Sequence, residues 1–464
     1  MSDYQSFVSR KLSTVPPTGI ADGFVLPESL FGHQSALTSW ALRRGRAAIF
    51  ADTGLGKMRM ELAWADAVTR YTRKPVMIHT PLAVAAQLAA EATLIGISAK
   101  VCREASDLAA GINITNYDRL HKFDASIFGG VVLDESGCIK HHDTKTFQAL
   151  TAAYRKTPFK LPATATPAPN DWSELGTHAE FLGICTRAEM LAEFFTHDGG
   201  DTSVWRLKGH ARDIFWKWVA TWGAMIRKPS NLGFDDGAYN LPALHLHEHH
   251  VAYELPLNGM LFAAEAQTLS ERRDARRASI EDRVKECAAL VNSESAEPWV
   301  VWCDLNSEGD ALTKAISGAV QIAGADSVEV KEQRLIDFAA GRIRVLVSKP
   351  SICGWGLNWQ HSARMAFVGV TDSYEAYYQA VRRCWRFGQK RDVHVHIFAS
   401  KSEGAVVSNL KRKEREAGAM ADALSAETHD AVMASVVGES QRETNSHNAV
   451  RRVSAPTWLQ SEAA

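Results

Sequence analysis

Three short stretches of this sequence carry side chains whose types and spacing suit phosphoryl chemistry. The first is Phe50-Ala51-Asp52-Thr53-Gly54-Leu55-Gly56-Lys57-Met58. An apolar run at 47–50 precedes it and a helix-like run at 58–68 follows, so the glycines fall in a strand-to-helix turn. Such a turn wraps backbone N–H groups around a phosphate, the helix N-terminus adds positive potential, and Lys57 reaches the outer phosphates. Thr53, Gly54, Leu55, Gly56, Lys57 and Met58 are therefore candidate nucleotide-binding residues. The residue after the lysine is usually Ser or Thr, whose hydroxyl helps hold Mg²⁺. Met58 has no such oxygen. The second stretch, Val131-Val132-Leu133-Asp134-Glu135, is an apolar strand ending in two carboxylates. One acid, Asp134, can organise Mg²⁺, and the other, Glu135, can polarise an attacking water. The C-terminal end of a strand is the nucleotide side of an open α/β sheet. The third stretch runs from Gln379 to Gln389. On a helix spanning 374–386, Gln379, Arg383 and Arg386 fall at i, i+4 and i+7 and share one face. Two guanidiniums and an amide so placed can stabilise charge on a transferring γ-phosphoryl group. The alternative is a basic helix face that only contacts nucleic-acid phosphates.

The elements that must position these groups follow from pattern and composition. A chain of 464 residues, 46% hydrophobic and 23% charged, exceeds one comfortable core and implies two or three domains. A net charge of -1 gives no global electrostatic case for nucleic acid, so any such site is a local patch. Seven cysteines without CxxC pairs and no signal-like start suit a reducing, cytoplasmic setting, and no apolar run reaches membrane-spanning length. Strand-like runs at 47–50, 76–80, 101–103, 112–116 and 131–133 alternate with helix-like ones, the rhythm of a parallel α/β sheet. The rhythm breaks at 186–250, where Phe215, Trp218, Trp222 and Met225 form one stripe at helical spacing that ends near Pro229. After arginine- and glutamate-rich helices at 257–291, a second rhythm runs through 299–303, 320–323, 343–348, 365–370 and 394–398. The expected organisation is a lead-in at 1–25, a first lobe at 26–185 and a helical insert at 186–250. A second lobe at 251–425 and a polar, disordered tail at 426–464 complete it. His245, His247, His249 and His250 with Glu248 look like a metal cluster, but alternation reads better as a solvated strand. Cys138, His141 and His142 lack a second ligand pair. Lys411, Arg412, Lys413 and Arg415 form a basic run on the last helix.

The ordered series of motifs over residues 31–398 resembles a superfamily 2 helicase-type motor, and most closely the Swi/Snf-type DNA translocases. Phe31-Gly32-His33-Gln34 resembles the adenine-sensing glutamine element, which makes Gln34 a nucleotide contact. The glycine-rich turn is similar to motif I, with Ala51 and Thr53 as in DEAD-box proteins. Ile78-His79-Thr80-Pro81-Leu82 resembles motif Ia, and Ile114-Thr115-Asn116-Tyr117 the family's "ITxY" strand. Asp134-Glu135-Ser136-Gly137 with Ile139-Lys140 resembles motif II. Ala163-Thr164-Ala165-Thr166-Pro167-Ala168-Pro169-Asn170, with Glu174-Leu175, resembles motif III. Met225-Ile226-Arg227-Lys228 followed by Leu241-Pro242 resembles the link between lobes. Val347-Ser348 with Gly354-Trp355-Gly356-Leu357-Asn358 resembles motif V, and the run from Gln379 to Gln389 resembles motif VI.

The resemblance implies two RecA-like parallel-sheet lobes with ATP between them, Mg²⁺ as cofactor, and DNA, duplex by the Swi/Snf-type likeness, as partner. It implies that Thr80, Pro81, Asn116, Ser348 and Asn358 touch the sugar-phosphate backbone, and that Thr164 and Thr166 couple nucleotide state to lobe closure. Contacts to a sugar-phosphate backbone carry no sequence code and are salt-sensitive. Three departures stand out: Met58 for the hydroxyl residue, Ser136-Gly137 in motif II, and Arg382 where many remodellers carry Asp. Short inserts and no histone-reading module imply a minimal bacterial or bacteriophage form. Two further readings stay open, an ATP-regulated DNA clamp that hydrolyses little because of Met58, and an RNA helicase.

Overall fold

Continuous Val, Ile and Leu runs call for burial on both faces, which a parallel sheet flanked by helices provides. The computed structural model describes residues 16–81, 84–198, 201–251, 277–353, 358–369, 373–400 and 404–437, and it contains two such sheets. In chain order the strands of the first half are β1 (Ala48–Ala51), β2 (Val76–Thr80), β3 (Ala99–Val101), β4 (Ile112–Asn116), β5 (Gly130–Asp134) and β6 (Phe159–Ala163). They are followed by β7 (Phe195–Asp198), β8 (Asp201–Leu207) and β9 (Gly223–Ile226). All but β7 and β8 join one seven-stranded parallel sheet in the order β3-β4-β2-β5-β6-β1-β9. The remaining pair is an antiparallel hairpin. The second sheet holds β10 (Leu244–Val251), β11 (Trp299–Cys303), β12 (Ala319–Ile322), β13 (Val345–Ser348), β14 (Arg364–Val368) and β15 (Val393–Ser400). Its order is β10-β15-β14-β11-β13-β12, again all parallel. Each sheet has its own core. Trp64 and Val68 of the helix Lys57–Thr72 pack with Val76, Ile78 and Val132 in one, and Val300, Trp302, Phe367 and Val395 pack in the other. The architecture is α/β, with two RecA-like lobes.

Three expectations need correction. The aromatic stripe is not one helix. The helix Arg212–Ala220 stops before Trp222, and Met225 lies in β9, which pairs in register with β1. Gly223 permits that approach, since a Cβ there would meet the Phe50 ring at 2.9 Å. Phe215, Trp218, Trp222 and Met225 still share one core, so burial was legible and the element was not. The first lobe therefore extends to Ile226, and the second begins at Leu244 with the edge strand β10.

The third correction concerns the tail expected from 426. A helix, Gly404–Val437, runs through that boundary. Its Leu410 joins the core of the second lobe. Its Met420, Ala421 and Leu424 join the core beneath β9, and Val432 joins the core of the first sheet. Spaced apolar residues on an otherwise polar sequence are enough to dock it. Met225 N donates to Thr428 Oγ1 at 2.9 Å, and Arg43 Nη1 donates to Ser435 O at 2.8 Å. Residues 438–464 of that tail, 1–15 of the lead-in and 252–276 of the expected helices lie outside the described residues.

Candidate active site

The chemistry-bearing residues of the first lobe collect where parallel strands end. Asp52–Gly56 follow β1, Thr80 ends β2, Asn116 ends β4, Asp134 ends β5 and Thr164 follows β6. The glycine-rich turn needs its glycines: Gly54 and Gly56 have φ of +96° and +82°. A Cβ on Gly56 would stand 2.2 Å from Gln34 Nε2. Gln34 is buried and holds the turn from behind, donating to Leu55 O at 3.0 Å and accepting from Phe31 N at 3.0 Å. At the helix start, Lys57 Nζ donates to Ala51 O at 3.3 Å and lies 3.5 Å from Glu135 Oε1. Glu135 adopts φ +53°, rare for a residue with a side chain and frequent at functional sites. Thr164 Oγ1 donates to Glu135 Oε2 at 3.4 Å and accepts from Thr166 N at 3.2 Å. Motif III thus touches motif II directly.

Asp134 is buried. Burial first, and the Glu135 charge second, raise its carboxyl above the ordinary range. Thr80 Oγ1 donates to Asp134 Oδ2 at 2.6 Å, and Tyr117 Oη donates to Asp134 O at 2.6 Å.

The second lobe brings its own groups to the same cleft. Thr53, Gly54, Gly56, Lys57, Met58, Asp134 and Glu135 line one wall, and Asn358, Gln379, Arg383 and Arg386 line the other. Gly54 lies close to Phe387 of the second lobe, since a Cβ there would sit 3.1 Å from the Phe387 Cβ. The helix expected over 374–386 ends at Val381, and both arginines follow it on turns, so their shared direction does not come from helical spacing. Burial, with each other's or a neighbouring arginine's charge, lowers Arg383 to about 9 and Arg386 to about 10. Gln379 Nε2 and Arg386 Nε are buried without a hydrogen-bond partner among the described residues. Crowded, desolvated cations beside unspent donors suit a polyanion.

Of the proposed nucleic-acid contacts, Thr80, Pro81 and Asn116 border one hollow, and Ser348 and Asn358 do not join them. Thr80 is wholly buried with its hydroxyl spent on Asp134. Ser348 is 1% exposed and donates to Ile322 O at 2.8 Å. Both hydroxyls are bonded to groups inside their own lobe in this structure. Asn358 lines the phosphate cleft instead. The hollow bordered by Thr80, Pro81 and Asn116 also meets Tyr117, Gly137, Lys140 and Glu375, and it adjoins the cleft at Glu135. Of motif V, Gly354 to Leu357 lie outside the described residues, as does Leu82 of motif Ia.

The two other departures have structural consequences. Arg382, with Tyr378, reaches across to Asp52 of the phosphate loop, an ion pair and a hydrogen bond between lobes. Burial alone would raise the Asp52 carboxyl, but the charge and hydrogen bonds of Arg382 and the Tyr378 hydroxyl hold it below its ordinary range. Gly137 leaves room for Glu375 of the second lobe, whose Oε1 would stand 2.2 Å from a Cβ there. Glu375 in turn pairs with Lys140. Ser136 Oγ hydrogen-bonds His178 Nε2 at 3.0 Å within the first lobe. Sequence reading missed these partners because they lie far apart in the chain.

No protein-family model and no curated protein matches this chain. Among solved structures, one described as the Sulfolobus solfataricus SWI2/SNF2 ATPase core in complex with dsDNA aligns over 89% of this chain and 98% of that chain, at 16% identity and a TM-score of 0.42. That score is too low to transfer roles, so every role here rests on this chain's own residues.

The histidines read as a solvated strand form a ladder. β10 and β15 run in register, and His247 Nε2 lies 2.9 Å from His394 Nδ1, as does His249 Nε2 from His396 Nδ1. Among the described residues, no group of three or more His, Cys, Asp or Glu is arranged to hold a metal ion. A cation at Asp134 would therefore depend on phosphate oxygens and water as well as protein, the usual habit of Mg²⁺.

Proposed function

We propose that this chain is a nucleic-acid-dependent ATPase, a motor that couples ATP hydrolysis to movement along DNA without sequence specificity. One observation carries the reading. A single cleft takes Lys57, Asp134 and Glu135 from one lobe and Gln379, Arg383 and Arg386 from the other. In this reading Lys57 binds the outer phosphates, Asp134 holds Mg²⁺, and Glu135 orients the attacking water. Mg²⁺ supplies charge neutralisation on the phosphates when bound. Arg383 and Arg386 offset charge on the transferring group, with Gln379 assisting. Because these groups come from two rigid lobes, nucleotide contacts bias the lobes toward closure, and loss of the γ-phosphate weakens that bias. The Thr164–Glu135 contact gives motif III a direct sense of that state. Duplex DNA is the track by family resemblance.

The test is ATP turnover with and without duplex DNA or RNA. Turnover should rise with duplex DNA, fall as salt rises, and drop about a hundredfold or more in Glu135→Gln while ADP still binds. A rate indifferent to nucleic acid, or one that survives the substitution, sinks the motor. Stimulation by RNA and not by duplex DNA would reassign the track. Met58 in the cleft favours one other reading, a clamp that binds ATP and scarcely turns over. Turnover found only in Met58→Thr would establish it.

A further inference from the structure

We propose that Glu61 supplies, beneath the phosphate loop, the oxygen toward the divalent cation that Met58 cannot. This rests on the nucleotide reading above. Glu61 lies four residues after Lys57 and three after Met58 in the helix Lys57–Thr72, so it sits one turn on and neighbours both. Helical side chains lean toward the N-terminus, which aims Glu61 back at the phosphate loop. The residue is 0% exposed, among Met60, Leu62 and Trp64. A carboxylate so placed is costly unless something compensates it. Yet no donor among the described residues reaches either Glu61 oxygen; the polar group beside it is another carboxyl, Asp134. The charged groups it feels are Asp134, Lys57 and Glu135. Around Glu61 itself two carboxyls and one ammonium act, while Arg383 and Arg386 act on Glu135 from the second lobe, so the field at Glu61 is locally acidic and suits a cation.

Asp134, the carboxyl expected to hold the cation, is also the hydrogen-bonding neighbour of Glu61 when either acid is protonated. The competing explanation is therefore a neutral acid that only hydrogen-bonds Asp134. The two explanations differ in what Mg²⁺ does. Mg²⁺ here must be bound jointly with phosphate oxygens, because no protein cluster of three suits it among the described residues. Glu61, acting directly or through water, adds one oxygen to that set. It replaces from the fourth residue after the lysine what other phosphate loops take from the first.

The decisive measurement is ADP affinity with and without Mg²⁺, by fluorescent-ADP titration of the full chain, beside the same titration with Mn²⁺ read by electron paramagnetic resonance. In the unsubstituted protein Mg²⁺ should tighten ADP. In Glu61→Gln, which keeps shape and burial, that tightening should shrink about tenfold or more, the range seen when a metal's supporting ligands are removed, with metal-free ADP affinity unchanged. Mn²⁺ affinity of the ADP complex should fall in parallel. Met58→Thr placed on Glu61→Gln should restore the Mg²⁺ effect. Full Mg²⁺ tightening in Glu61→Gln, equal loss with and without metal, or no rescue by the threonine would each overturn the proposal. No ADP binding by the unsubstituted protein would instead overturn the nucleotide reading itself.

Discussion

At the scale of single residues, the phosphate loop is decided by backbone conformation. Gly56 combines a left-handed φ of +82° with a neighbour, Gln34 Nε2, that leaves no space for a Cβ. Left-handed backbone alone costs a residue with a Cβ about 1–2 kcal/mol, and the clash would displace the amide that holds Leu55 O. In Gly56→Ala the free loop should relax out of this shape, so that restoring it on binding weakens ADP about five- to thirtyfold, with a smaller effect on the thermal midpoint. Isothermal titration beside a melting curve separates the two effects. Lys57, Asp134 and Glu135 were legible because each lies within a local strand-to-helix or strand-end signature. The direction of a short hydroxyl was not. Thr80 and Ser348 look alike in sequence terms to residues that face a ligand, and only neighbours distant in sequence, Asp134 and Ile322, decide that they turn inward.

At the scale of elements, two features join the lobes. The first is the Asp52–Arg382 pair with the Tyr378 hydroxyl. The side chains of Asp52 and Arg382 are 13% and 5% exposed, so removing one partner leaves a desolvated charge. Breaking such a pair costs about 3–5 kcal/mol, whereas replacing both partners by neutral groups is far milder. Arg382→Met should lower the unfolding midpoint in denaturant clearly, and adding Asp52→Asn should recover most of the loss. A double variant as unstable as the single one would show that the pair is not the source. The second feature is the helix Gly404–Val437, where Leu424 is fully buried beneath β9. Leu424→Ala should cost about 2–5 kcal/mol in chemical denaturation. A value near zero would mean that the helix is not docked in solution. Alternation and periodicity made ten of the thirteen parallel strands' neighbourhoods readable as apolar runs, but β9 was hidden inside an apparent helical stripe. A four-residue strand preceded by tryptophans offers too little alternation to be told from a helix turn. The Asp52–Arg382 contact, 330 residues apart in sequence, offered only a hint, the arginine at position 382 where many remodellers carry an acid.

For the whole molecule, the composition gave no charge asymmetry to exploit, and the distinguishing long-range pattern is the histidine ladder that ties edge strand β10 to β15. His396 packs between His247 and His249, with ring centroids at 4.5 and 5.2 Å, and against Trp299. Burial first, then the neighbouring histidines and Arg364, lower it to about 3. A histidine whose folded value is depressed is neutral in the fold and takes up a proton on unfolding. Its contribution is whole above the unfolded value near 6.5 and is lost progressively as pH falls from there toward about 3. Buried carboxyls that are raised, Glu61 and Asp134 among them, act in the opposite sense, so the total pH profile does not isolate the ladder. A difference between variants does. His396→Phe keeps a stacking ring and removes the titrating group, so its thermal midpoint should fall less than that of the unsubstituted protein between pH 7.5 and 5. Equal falls would show that the ladder is already solvated and protonates freely, and that packing of the two strands, not imidazole charge, sets the acid limit of the second lobe.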